Sequence, residues 1–473
     1  MLFERVQSEM SQRDGARLLG YTWFWSAMML LAVPFACIYT GVGLDVFSNL
    51  WTIWTSPSKL ITDYFNIGGL ASAFLNAAIC GFSCNIIMTA TKVRPTSSVL
   101  AGYFLVIAHC FYGLNFINMW PPFLGVMLFC YLEKNKLGPS LHLAMFSTAL
   151  GPFISEFLFR YTLGSNYVFG EVEVSFIGVV LALCFGLLAG FLIPSLLPGT
   201  TKTHRGHNLY KAGLAIGLFG CFAYALFFKI FGVETPEAVS YENAVYAAHG
   251  NSYILFMDIF FIVVFGATLI YGFITNDKSF KGYTKLLKSS SLDANYPKDF
   301  GMPRTFINIG IYGFAILAYY NLVVLLTEGV GFTGATAGVT IAALTFAAAG
   351  QNIRSVWPIA AGYVILYLGV FLLSKFVGFQ FDWTLSSQGF INGFAFATGL
   401  CPFVTDYGKK VGIMAGILNG IICTCTSVLH GGFVLYNGGF AAGLTALILL
   451  PILDFYHVKE RLNEHGKHSI HKW

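Results

Sequence analysis

A gap-free internal repeat, lying in near-continuous apolar sequence, limits what this chain can fold into more than any other feature. The segment from His204 to Leu218 recurs from His430 to Leu444, with His204, Gly206, Leu209, Tyr210, Gly213, Ala215, Gly217 and Leu218 matched by His430, Gly432, Leu435, Tyr436, Gly439, Ala441, Gly443 and Leu444. That is eight identities in 15 positions, where composition alone gives about one or two. A second pair sets Phe146, Thr148, Leu150, Pro152 and Phe153 against Phe396, Thr398, Leu400, Pro402 and Phe403, followed by Ser155-Glu156 against Thr405-Asp406. The chain is a duplication. Copies of this kind, embedded in apolar sequence, point to a membrane protein whose halves face each other around a central pathway.

Charge scarcity fixes the class. Hydrophobic residues make up 56% and charged residues 10%, against about 25% charged in a soluble domain. About 20 apolar residues span a bilayer as a helix. Such runs lie near 20–42, 66–89, 97–114, 118–133, 139–158, 174–196, 212–232, 253–275, 304–327, 333–350, 356–376, 387–405, 408–429 and 436–455. The reading is an all-α polytopic transmembrane protein of about fourteen helices. The 51 glycines suit close helix packing in lipid, and continuous rather than alternating apolar runs exclude membrane β-strands. The first run is too long for a cleavable signal and is expected to stay as an anchor.

The charges test that topology. With a cytoplasmic N-terminus, all of the 27 Lys and Arg residues except Lys59, Arg160, Lys229 and Lys375 fall on the inside. The loop near 233–252 that would face outward is acidic, with Glu234, Glu237 and Glu242. This pattern places both termini in the cytoplasm and explains the net charge of +5 without a nucleic-acid partner.

Weaker matches extend the repeat. Ala101-Gly102-Tyr103 resembles Ala361-Gly362-Tyr363, and Ile177-Gly178 with Gly186 resembles Val411-Gly412 with Gly420. Helices one, two, three, five, six and seven then map onto nine to fourteen, leaving helix four unpaired and helix eight as a connector. The divisions are a cytoplasmic segment 1–19, repeat 20–235, a connector 236–302, repeat 303–456 and a cytoplasmic tail 457–473. The basic loop 276–304 is expected to bury little apolar surface. This mapping runs helices one and nine in the same direction but seven and fourteen oppositely. Segments 66–89 and 118–133 either span or re-enter, and opposed C-terminal parts make an inverted repeat.

Two motifs hold the chemistry. Proline within a membrane helix removes one N–H donor and displaces a nearby carbonyl, so Pro152 and Pro402 would free carbonyl oxygens beside Ser155-Glu156 and Thr405-Asp406. Carbonyl, hydroxyl and carboxylate are hard ligands suited to Na⁺, and a carboxylate alone could take a coupling proton. The same acids could equally meet water at helix ends. In the second motif His430, Tyr436 and Asn437, among Gly431, Gly432, Gly438 and Gly439, offer a ring nitrogen, a hydroxyl and an amide at an unwound stretch that binds a small polar solute. Tight packing of glycines is the competing explanation. Asn392 flanks the second acid. Asn66, Ser72, Asn76, Asn419, His109, His142 and Asp258 are further polar residues at membrane depth. All ten cysteines lie in apolar runs, which argues against a disulfide framework. His465, His468 and His471 read as a solvated tail rather than a metal site.

The duplicated His-x-Gly-x-x-Leu-Tyr motif, in an apolar chain of this length, resembles an uncharacterised prokaryotic family of integral membrane proteins built on a tandem domain of unknown function. The resemblance implies a cell inner membrane location. A fainter likeness is to urea transporters, through Leu435-Tyr436-Asn437-Gly438-Gly439 and Pro402-Phe403, with order and spacing that depart from that family. The functional expectation is a secondary transporter, Na⁺ or H⁺ coupled, for a small polar solute or ion. Its rivals are a passive channel of urea-transporter type and a membrane-embedded enzyme. The absence of Gly-x-x-x-x-Gly-Lys, His-Glu-x-x-His and Gly-x-Ser-x-Gly patterns argues against ATP-driven transport and hydrolytic chemistry. No enzyme activity, cofactor or metal is expected. The partners are the solute or ion, the lipid bilayer and a homo-oligomeric copy.

Overall fold

The computed structural model describes residues 12–459, so the tail histidines lie outside the described residues. All regular structure among the described residues is helical. The first half contains α1 (Gln12–Thr40), α2 (Val46–Thr55), α3 (Tyr64–Ala90), α4 (Ser97–His109), α5 (Trp120–Leu132), α6 (Leu137–Ser147), α7 (Gly151–Phe159), α8 (Phe176–Thr203) and α9 (Lys211–Tyr224). The second contains α10 (Ile254–Thr275), α11 (Met302–Leu326), α12 (Gly334–Ala342), α13 (Ile353–Val377), α14 (Gln388–Ala397), α15 (Cys401–Asp406), α16 (Lys409–Leu429) and α17 (Asn437–Phe455).

Ten of these helices, counting α6 with α7 as one and α9 with its continuation to Ile230, are long and apolar enough to cross a membrane. The four remaining apolar segments are built from the shorter α4, α5, α12 and the broken pair α14–α15. Each of the fourteen runs read from the sequence falls on one of these units. Ile38 at 80% and Phe376 at 86% exposure belong to an outer apolar surface, as expected where lipid rather than water is the solvent.

The pairing of the two copies differs from the sequence mapping. Helix four does have a partner. Gly125 of α5 packs on Gly190 of α8, where an added Cβ would meet the facing Cα at 2.9 Å; Gly362 of α13 packs in the same way on Gly416 of α16, at 2.8 Å. Thus α5 matches α13, and the Ala101-Gly102-Tyr103 likeness to Ala361-Gly362-Tyr363 is coincidental. Likewise Gly186 corresponds to Gly412, and Gly190 to Gly416, rather than Gly178 to Gly412.

Polar anchors confirm the frame. Asn76 of α3 donates to the carbonyls of Cys110 and Leu114, both at 2.9 Å, and Asn308 of α11 donates to those of Ala347 and Gln351, both at 2.8 Å. Asn115 and Asn352 each cap the start of the next helical segment with the side-chain oxygen, and each amide reaches the hydroxyl of Tyr64 or Tyr296. Gly69 (φ 78°) in α3 and Gly301 (φ 83°) before α11 supply the same left-handed kink, which a side chain would resist.

In this frame α1 precedes α3 as α10 precedes α11, so the helix at 254–275 is the opening helix of the second copy rather than a connector. Each copy then holds seven apolar segments. An odd number turns the second copy upside down, and the parity conflict of the sequence mapping disappears. Contacts show the inversion directly. Tyr21 near the start of α1 meets Thr268 near the end of α10, at 3.1 Å, while Tyr39 at the end of α1 packs on Phe256 near the start of α10. The loop 276–304 also departs from expectation. Tyr283, Leu286 and Tyr296 are buried there in a small apolar cluster with Ile307, because this stretch is structurally part of the second copy.

Candidate functional site

The two strongest repeat motifs prove to be two sides of one interface. The irregular segment 204–210 between α8 and α9 binds the break between α14 and α15, and segment 430–436 between α16 and α17 binds the break between α6 and α7. Leu209 donates its N–H to the Gly399 carbonyl and Leu435 to that of Ala149, each at 2.9 Å. Phe433 stacks on Phe153 with ring centroids 4.9 Å apart, and His207 lies over Phe403 at 5.0 Å. Each copy therefore inserts its own extended loop into the broken helix of the other. Ala149 and Gly399, three residues before the prolines, direct their carbonyls at these peptide groups. At each proline break one carbonyl is thus taken up by a peptide N–H of the other copy's loop.

The acids occupy equivalent places at opposite faces and are both engaged. Glu156 is buried and accepts from Arg160 at 3.0 Å (Nε to Oε1) and 2.7 Å (Nη2 to Oε2), the favourable i,i+4 geometry of a helix. Arg160 also donates to the Glu237 carbonyl at 2.9 Å. Ser155 accepts from Asn118 at 2.7 Å and from Ser58 at 3.1 Å. On the other face Asp406 accepts from Ser290 at 3.2 Å and Thr405 at 3.1 Å. His207 Nε2 stands 3.3 Å from its second oxygen, close enough for charge attraction but without hydrogen-bond alignment, since that nitrogen has no hydrogen-bond partner. Thr405 accepts the Ser291 N–H at 3.2 Å.

The other expected site residues separate. His430 donates from Nε2 to Asn437 at 2.9 Å. Burial pushes the His430 imidazole down to about 4, with the Asn437 contact opposing, and pushes His204 down to about 4 as well. Both repeat histidines are thus neutral at pH 7. Asn392 accepts from Gln388 at 2.7 Å, and Gln388 in turn accepts from Thr333. The structure therefore places the eight expected residues in local groups, with Tyr436 alone at the centre.

That centre is where the copies meet. Tyr210 and Tyr436, equivalent in the repeat, face each other with ring centroids 5.8 Å apart and planes at 80°. Around them, His109 packs against Tyr436, and its counterpart Phe346 packs against Tyr210. The two tyrosines differ in their bonding. Tyr210 donates to the Ala342 carbonyl at 2.7 Å and accepts from Gln351, which also donates to Thr398 at 2.6 Å. The first copy has Leu114 in place of Gln351, and the Tyr436 hydroxyl has no partner among the described residues. The Tyr112 and Tyr312 hydroxyls and both His109 nitrogens are also buried and unpartnered. The hydroxyls of Tyr112, Tyr312 and Tyr436 each lie within electrostatic reach of Tyr210. Buried polar groups are ordinarily satisfied, so this cluster of orphans is a candidate place for polar atoms of a solute or water. None of these side chains is an Asp, Glu, Lys or Arg.

Of the hub residues, the sequence motifs mark Tyr436 as a candidate and His109 only as a further polar residue at membrane depth, while Tyr112 and Gln351 stand outside both motifs. The repeat already held the signal for Tyr210, which is identical to Tyr436 in the best-matched segment. Nothing local in the sequence marks His207, since only the fold brings it to Asp406.

Fold and interface together define an integral membrane protein of helical type, made of two interlocked and inverted copies of one unit. The chain belongs to the family described as a protein of unknown function, DUF1576, whose domain matches twice in tandem, over residues 43–229 and 275–455. No curated protein and no solved structure matches the chain.

Proposed function

We propose that this protein is a secondary transporter that moves a small, neutral, polar solute through the hub around Tyr210 and Tyr436. The observation that carries this reading is the group of unpartnered buried donors and acceptors on Tyr112, Tyr312, Tyr436 and His109 where the inverted copies meet. Hydroxyl and imidazole groups can both donate and accept, which suits amide or hydroxyl functions on a solute. Inverted copies can exchange inward-open and outward-open states by rocking about such a centre. The paired charges at the two ends fit closures that form alternately. Coupling to H⁺ has its best support at Asp406 with His207, since Arg160 holds its proton throughout and leaves Glu156 no exchangeable partner. A membrane-embedded enzyme has less support, as no nucleophile and base are brought together at the hub.

The test is flux into proteoliposomes, using urea, acetamide and glycerol as probes under osmotic challenge. Tyr436→Phe removes a hydroxyl that bonds nothing in the protein, so folding should be unaffected while flux of the transported probe falls at least about tenfold, the worth of one solute hydrogen bond. Tyr210→Phe should instead lower stability by about 1–2 kcal/mol, by stranding Gln351 and the Ala342 carbonyl. Undiminished flux in Tyr436→Phe would remove the hub from the pathway. A proton gradient that leaves flux unchanged would favour a passive channel.

In this reading the face with Lys211, Arg205 and Lys409 lies in the cytoplasm together with both termini. A cysteine placed at Ser290 should react with a membrane-impermeant maleimide only in inverted vesicles, whereas one placed at Glu237 should react only from the outside of intact cells. The reverse pattern rejects this orientation.

A further inference from the structure

A cavity of about 780 Å³ opens beside α1 and α10, away from the hub, lined by Arg13, Arg17, Tyr21, Phe24, Tyr271 and Phe306 among others. Two guanidiniums, two phenols and no carboxylate stand among the lining residues, while Phe24, Phe306 and Ala267 make an apolar wall. Arg13 is exposed, and the ion pair of Arg17 with Asp14 is loose at 3.6 Å, so that among the described residues both guanidiniums keep donors for the cavity. The volume falls in the range of small-molecule sites, about 300–1,000 Å³.

The polar part lies where α1 begins, near Arg94 on the basic face, and the apolar part runs along spanning helices. Arginine forks match phosphate oxygens in pairs. From this combination we propose that the cavity binds an anionic phospholipid, with its phosphodiester on Arg13 and Arg17 and the upper acyl chain along Phe24 and Phe306. Charge complementarity and the apolar wall select the lipid over a soluble anion, which would gain nothing from that wall. Tyr21, held by Thr268 at 3.1 Å, ties the floor of the cavity to the contact between the opening helices of the two copies, so an occupied cavity steadies that contact.

The full chain, purified in mild detergent, is offered phosphatidylglycerol, phosphatidylcholine or inorganic phosphate, with bound lipid counted by native mass spectrometry and stability followed as Tm. Phosphatidylglycerol should be retained and should raise Tm, with little effect from phosphatidylcholine. Arg13→Gln with Arg17→Gln should cut retention at least about tenfold, the loss expected when charge-assisted hydrogen bonds are removed. Gly20→Phe supplies a test independent of charge. A Cβ there meets nothing within 4 Å, so the ring can enter the cavity, and it should displace the lipid while both arginines remain. Equal retention of the two lipids overturns the proposal. So does full phosphatidylglycerol retention by either monodisperse variant, or inorganic phosphate raising Tm as much as the lipid does.

Discussion

Glu156→Gln is expected to be among the most destabilising conservative substitutions in this chain, costing about 3–5 kcal/mol, the loss seen when one partner of a buried ion pair is removed. Arg160 stays charged at any accessible pH, and it is 8% exposed, so water cannot replace the lost carboxylate. Lys59 adds to the effect, since it lies near enough to Glu156 and Arg160 to interact with both. Its ammonium is already pushed below the usual lysine range by burial. A Gln amide can still accept a hydrogen bond, but it leaves the Arg160 guanidinium without its carboxylate partner. Asp406→Asn should cost far less, about 1 kcal/mol, because Ser290 and Thr405 can still bond an amide oxygen. Thermal unfolding of the monodisperse protein in detergent measures both. Arg160→Met combined with Glu156→Leu should recover most of the loss, because replacing both partners of a buried pair with apolar side chains is often close to neutral. Equal losses for Glu156→Gln and Asp406→Asn, or no recovery in the double variant, would show that the pair is not buried as described.

This asymmetry was partly visible in the sequence. Run length in a chain so poor in charge was enough to place all fourteen segments, because a bilayer rewards continuous apolar stretches and little else. The pairing of copies was harder to read. Short likenesses such as Ala101-Gly102-Tyr103 with Ala361-Gly362-Tyr363 are common by chance in Gly- and Ala-rich helices. The true equivalences rest on residues that repeat at a constant spacing, such as Gly113, Asn115 and Gly125 with Gly350, Asn352 and Gly362. The acids were recognised as equivalent, but their partners were not. Arg160 is a helical turn from Glu156 and could have been paired with it by spacing alone, whereas His207 reaches Asp406 only because each copy's loop inserts into the other. The carbonyls freed by Pro152 and Pro402 were expected to be free ligands for the same reason. A sequence shows that a helix breaks, and only the tertiary fold shows what fills the break. The hub was least legible, because its orphan hydroxyls and His109 come from α4 and the turn after it, α11 and the loop 430–436, which no local pattern brings together.

The interlock also sets the largest packing prediction. The N-terminal parts of α9 and α17 cross antiparallel with Gly213 and Gly439 face to face, and a Cβ on Gly213 would lie 2.6 Å from the Gly439 Cα. Backbone cannot give way at that distance without moving one copy against the other. The converse is milder. A Cβ on Gly439 would meet the Tyr436 ring at 2.7 Å and the Gly213 Cα only at 3.2 Å, and a ring can rotate. Gly213→Ala should therefore destabilise by about 3 kcal/mol or more, at the upper end of the cost of overpacking, while Gly439→Ala should cost about 1 kcal/mol. Because the Gly439 substitution displaces Tyr436, its main effect should appear as reduced probe flux in proteoliposomes with Tm nearly unchanged. Gly213→Ala should lower Tm and, with it, the yield of monodisperse protein. The comparison isolates the crossing from helix propensity, since Ala is favoured over Gly by about 1 kcal/mol in a helix interior and that term would stabilise both variants. A Gly213→Ala protein as stable as the native one, or a Gly439→Ala protein that loses as much stability as Gly213→Ala, would mean that the two copies do not pack backbone to backbone at their shared axis.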